Sequence, residues 1–177
     1  MENVNVRRPH MTGEELANTI SHGVGALLAV VGAVPLIARA VTAGSTAAVV
    51  GMSLYAVSLI TLYTASAVYH GTVDPEKKRQ RRIMDHCSIF LLILGTYIPL
   101  ALLTLGGRLG WMLITVNTLL AVVGIALKII DLNRFNKISL VLYALMGWLV
   151  FPALKTVVAV MPLSGVALLF AGGVAYT

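Results

Sequence analysis

Long, uninterrupted apolar runs leave this chain few ways to fold. A helix rising about 1.5 Å per residue needs roughly 20 apolar residues to cross about 30 Å of hydrocarbon. Six runs approach that length, at about 18–40, 46–70, 86–105, 111–130, 138–155 and 163–177. They are continuous rather than alternating, which argues against the strands of a membrane barrel. Only 11% of the 177 residues are charged, whereas a soluble domain carries about a quarter. The expected fold is therefore all-α, a polytopic transmembrane helical bundle forming one domain over 1–177.

The charges lie between the runs and orient them. Arg7 and Arg8 precede the first span; Lys77, Lys78, Arg79, Arg81 and Arg82 separate the second and third. Lys128, Arg134 and Lys137 fall between the fourth and fifth, while the opposite loops carry only Arg39, Arg108 and Lys155. Basic residues accumulate in cytoplasmic loops, so the N-terminus is expected in the cytoplasm of a multi-pass plasma (inner) membrane protein. The same rule explains the net charge of +6 without nucleic acid, for which no basic–aromatic surface is present. The lone cysteine, Cys87, excludes an internal disulfide and sits in an apolar run as a small packing residue. The N-terminal segment lacks the apolar core of a cleavable signal, so the first span is expected to act as its own insertion signal. Gly44, then Gly106, Gly107 and Gly110, then Pro162 mark breaks between helices.

Polar groups within membrane spans are costly, which makes them site candidates. Glu15, Asn18 and His22 are spaced i, i+3, i+7 at the start of span one; Tyr63, Ser66 and His70 repeat that spacing at the end of span two. Asp85, Ser88 and Thr96 share a face at the start of span three. Helical periodicity puts each set on one stripe, and the alternating topology brings all three to the cytoplasmic end. His70 suits metal ligation and Asp85 suits ligation or proton handling; His22 is a secondary candidate ligand. A Ser66–His70–Asp85 nucleophilic triad is the competitor, but Ser66 has no nucleophile-elbow pattern and no evident oxyanion hole. Alternatively, His70 simply bonds between helices, and Glu15 and Asn18 serve the helix start.

The segments GEELANTISHGVGA (Gly13–Ala26), TASAVYHG (Thr64–Gly71) and RIMDHCSIFLLILGTYIPL (Arg82–Leu100) resemble the bacterial hemolysin III family, with AGGVAYT similar to its sixth span. This family is the prokaryotic branch of the progestin and adipoQ receptor group. The resemblance implies seven helices and a cytoplasmic N-terminus. The wider superfamily, which includes alkaline ceramidases, implies a zinc site built from Ser and His on helix two, Asp on helix three, and a His-x-x-x-His pair on helix seven. Ser66, His70 and Asp85 match that pattern, with His70 the implied ligand and Ser66 and Asp85 beside it or acting on its water. The sequence stops before a seventh helix, so it is expected to be a truncated chain with an incomplete zinc site.

Three functions follow as expectations. The family name implies cytolysis or channel formation. The zinc pattern implies a hydrolase of lipid amides or esters, with Asp85 moving protons and Ser66 orienting. A receptor-like component without catalysis is the third. The expected partners are the bilayer and a lipid substrate.

Overall fold

A computed structural model describes residues 11–176, with side chains described through residue 172. Arg7, Arg8 and His10 of the N-terminal basic segment, and Thr177, lie outside the described residues. Helix α1 spans Gly13–Thr42, α2 Thr46–His70 and α3 Pro75–Pro99, the last continuing through a π-helical turn at Leu100–Leu105. Helix α4 spans Gly107–Ile130, α5 Asn136–Trp148, α6 Leu154–Val160 and α7 Leu163–Tyr176. No strand occurs among the described residues. Five segments are long and apolar enough to cross a membrane: α1, α2, α3 with its π turn, α4, and the stretch Asn136–Val160. The sixth expected span, in α7, is a shorter apolar helix. The chain is an all-α, multi-pass membrane bundle.

Local chemistry sets the helix starts. The Thr12 hydroxyl accepts from Glu15 N–H at 3.2 Å, with Glu14 and Glu15 in the first turn, where carboxylates oppose the positive end of the helix dipole. Ser45 caps α2 by accepting from Ala48 N–H at 3.2 Å. Asp74 caps α3, accepting from Lys77 N–H at 2.9 Å, with Pro75 in the first turn. That cap moves the start of the third helix from the expected residue 86 back to Pro75. The basic run Lys77–Arg82 is thus helix, not loop. Apolarity marks where lipid begins, whereas caps mark where helix begins, and here the two differ.

Two further expectations need correction. Gly106 and Gly107, at φ of 60° and 49°, do form the break before α4, a conformation that disfavours residues with a Cβ. Gly110 does not: it lies inside α4, packed on the Ala101 carbonyl of the preceding turn. Lys128 is not in a loop but in the last turn of α4, fully buried, donating to Asn136 Oδ1 at 3.0 Å.

Sequential helices pack as neighbours, α1 on α2, α2 on α3, α3 on α4 and α4 on α5. Small residues permit the close approaches, because helices in lipid associate by packing rather than by hydrophobic exclusion. Gly95 of α3 abuts Ser58 of α2, and Gly124 of α4 receives the Phe90 ring of α3. Phe90, Ala121, Leu142 and Met146 form the buried centre where α3, α4 and α5 meet. The outward faces are apolar. In α1, Leu27, Leu28, Val31 and Val34 are exposed, and Ala29 and Ala40 are the buried residues. Lipid-facing side chains require that pattern.

The fifth span is interrupted at Phe151–Ala153, a 3₁₀ turn containing Pro152. The Tyr97 hydroxyl secures the interruption, donating to Gly147 C=O and accepting from Val150 N–H, each at 2.8 Å. A broken helix in a membrane needs such outside partners for its freed backbone groups.

Candidate functional site

The antiparallel hairpin of α1 and α2 brings the first turns of α1 against the last turns of α2, and the start of α3 closes on the same end. Glu15 bridges all three helices. Its Oε2 lies 2.6 Å from His70 Nδ1 on α2, and its Oε1 accepts from Lys78 Nζ on α3, also at 2.6 Å. Deeper along α1, His22 Nδ1 lies 2.6 Å from Ser66 Oγ. The register explains the pairing. Moving inward on α1 from Glu15 to His22 corresponds to moving back on α2 from His70 to Ser66. Gly25 extends that register, lying against the Tyr63 ring with no room for a side chain.

The two imidazoles stand edge to face, with ring centroids 5.7 Å apart and planes at 75°. Tyr63 is edge-on to His22 at 6.0 Å. Tyr69 packs against His70 at 4.6 Å, and the Lys78 ammonium lies 5.3 Å from the Tyr69 ring centre. Ser66 is the driest of the four: it is buried, His22 is half-buried, and the side chains of Glu15 and His70 keep 25% and 19% of their exposure.

This geometry fixes one ring and leaves it a lone pair. An ionised carboxylate only accepts hydrogen bonds, so Nδ1 of His70 carries the proton toward Glu15, and the neutral ring keeps its lone pair at Nε2. A carboxylate behind an imidazole is the arrangement that orients metal-bound histidines and raises their basicity. Ser66 can donate or accept, so its bond to His22 restrains that ring without fixing the tautomer.

Two imidazoles on one tetrahedral ion, with Zn–N near 2.0–2.1 Å, would have centroids about 5 Å apart, close to the observed separation. The donors thus fit zinc in kind. They fall short in number, because catalytic zinc takes three protein ligands, and no group of three His, Cys, Asp or Glu side chains is placed to hold a metal ion among the described residues.

The predicted residues are brought together only in part. Ser66, His70 and His22 share the site, but each histidine is paired across helices. Ser66 bonds to His22 and not to His70, so the Ser66–His70–Asp85 triad is not assembled by hydrogen bonds. Asp85 is half-buried farther along α3, and among the described residues no hydrogen bond or ion pair joins its carboxylate to His22, Ser66 or His70. Ser88 and Thr96 donate to local carbonyls, of Asp85 at 2.6 Å and Ile93 at 2.7 Å. Lys78, read from the sequence as part of a topology signal, is the member that sequence reasoning missed. Its signal was available: Asp74-Pro75 is a helix start that places Lys78 on the same helix as Asp85.

The comparisons agree with the resemblance read from the sequence. A family model described as "Haemolysin-III related" matches residues 11–177. The chain is 40% identical over 171 residues to "Hemolysin-3" of Bacillus cereus, covering 97% of this chain and 78% of that relative. It is 39% identical over 164 residues to "Hemolysin-3 homolog" of Bacillus subtilis (strain 168), covering 93% and 77%. No solved structure matches it. A family model spanning nearly the whole chain, and relatives at this identity, place the protein in the haemolysin-III related family.

Proposed function

We propose that the cluster at the joined ends of α1, α2 and α3 belongs to a zinc-dependent site hydrolysing a lipid amide or ester at the cytoplasmic face of the plasma membrane. The observation that carries this reading is the Glu15–His70 pair, 2.6 Å apart and braced by Lys78. Stability alone gives weak reason for it, since interhelical polar bonds in membranes contribute about 0.6 kcal/mol on average. His70 would hold the ion through Nε2, with His22 as a second imidazole, which together supply part of the three-ligand set that catalytic zinc takes. Zinc, when bound, supplies Lewis-acid activation of a carbonyl or a water. Glu15 fixes the His70 ring, Lys78 balances the second carboxylate oxygen, and Ser66 restrains His22. Asp85, on the same end of α3, is the candidate for moving a proton. The basic residues at this end support a cytoplasmic orientation.

A second reading, cytolysis, rests on the names of the two Bacillus relatives, and channel formation is the form of it that leakage can test. Purified protein in lipid vesicles separates the two. The hydrolase reading expects fatty-acid release that a chelator stops and His70→Ala abolishes. The channel reading expects leakage of an entrapped dye, unaffected by His70→Ala. Neither signal would leave a receptor-like role without catalysis.

A further inference from the structure

A second feature lies on the other side of Lys78, in a groove of about 570 Å³ between the first turns of α3 and the end of α4 with its following loop. Its α3 wall is the stripe Pro75, Lys78, Arg79, Arg82 and Ile83, residues that helical periodicity sets on one face. The opposite wall is mixed: Ile129 and Ile130 at the end of α4 are both strongly exposed, and Asp131, Leu132 and Asn133 of the following loop complete it.

The cations of this groove lack anionic partners within it. Asp131 is the one carboxylate in its lining, and its Oδ1 accepts from the backbone N–H groups of Asn133 and Arg134 at 3.1 and 3.0 Å. Among the described residues, the ion pairs are the two made by Glu15, which neutralise Lys78 and leave Arg79 and Arg82 unpaired. Arg82 makes one long contact, to the neutral Asn133 Oδ1 at 3.5 Å.

We propose that this groove binds an anionic phospholipid, its phosphate between Arg79 and Arg82 and its acyl chains along Ile83, Ile129 and Ile130. A guanidinium presents a planar fork of donors that matches phosphate oxygens. A basic pocket between membrane helices at the cytoplasmic end is where anionic headgroups are held. The exposed isoleucines select a lipid over a free anion, because they gain burial against acyl chains and none against an inorganic anion. The site uses neither histidine and does not rest on the hydrolase reading.

The test is native mass spectrometry of the full chain in detergent, titrated with phosphatidylglycerol or with phosphatidylcholine of the same acyl chains. Phosphatidylglycerol should be retained at lower concentration. The double substitution Arg79→Gln and Arg82→Gln should weaken it roughly thirtyfold, to the phosphatidylcholine level. Should that variant fail to fold, exposed Arg79→Gln alone should weaken it about fivefold. Equal retention of the two lipids, or unchanged selectivity in the Gln variants, would overturn the proposal. So would full displacement of phosphatidylglycerol by excess inorganic phosphate, which would make the groove a small-anion site. Lys78 is left intact, so loss of lipid binding is separable from damage at His70.

Discussion

Glu15 is the residue on which the candidate site turns, because it alone among the described residues bonds to both α2 and α3. Glu15→Gln preserves its shape but removes its charge, and with it the firm placement of the His70 proton. Loss of such a partner behind a metal-bound histidine typically costs ten- to a hundredfold in affinity. Zinc affinity, measured by competition with a fluorescent chelator, should fall by about that factor, while stability should change by less than about 1 kcal/mol, as for other partly exposed ion pairs. Unchanged affinity would reduce Glu15 to a helix-start residue. The sequence made Glu15, His22, Ser66 and His70 visible as stripes at a common end. It did not show that each histidine finds its partner on the other helix. That depends on the register of the α1–α2 hairpin, set by contacts such as Gly25 on Tyr63, which no local spacing encodes.

At the scale of helices, close packing decides what can change. A Cβ at Gly95 would run into Ser58. Gly95→Ala should therefore lower thermal stability in detergent by about 1–3 kcal/mol, the usual cost of overpacking, and Ser58→Gly in the same chain should recover part of it. Gly32 has open space around the corresponding position, so Gly32→Ala should be neutral or slightly stabilising. Equal effects at the two glycines would contradict the helix contacts. Hydropathy located the spans well, because burial in lipid is a property summed over many residues. It misplaced features set by a single group. Asp74 starts α3 before the apolar run begins, Pro152 breaks the fifth span, and Lys128 turns inward to Asn136 rather than outward to solvent.

Over the whole molecule, the bundle gathers its chemistry at one end: the His22–Ser66 and Glu15–His70 pairs, the lining of the basic groove, and Lys128 with Asn136. If the positive-inside rule governs this chain, that end faces the cytoplasm. A cysteine placed by Gln80→Cys, in a Cys87→Ser background, should react with an impermeant maleimide in inverted vesicles and not in intact cells. Reaction in intact cells would reverse the orientation and move the site to the other leaflet. The fold class was legible because few architectures satisfy backbone hydrogen bonding in lipid. The site was legible only as far as its residue types, since two imidazoles and a distant carboxylate do not by themselves specify what they hold.

The most direct test of that specification is zinc per chain, by elemental analysis of protein purified without a metal-affinity tag, for the wild type, His70→Ala and His22→Ala. Because two imidazoles are fewer than the three ligands of catalytic zinc, the account predicts substoichiometric zinc in the wild type, its loss in His70→Ala and a partial loss in His22→Ala. A wild type without zinc, or a His70→Ala variant that holds as much as the wild type, would contradict it.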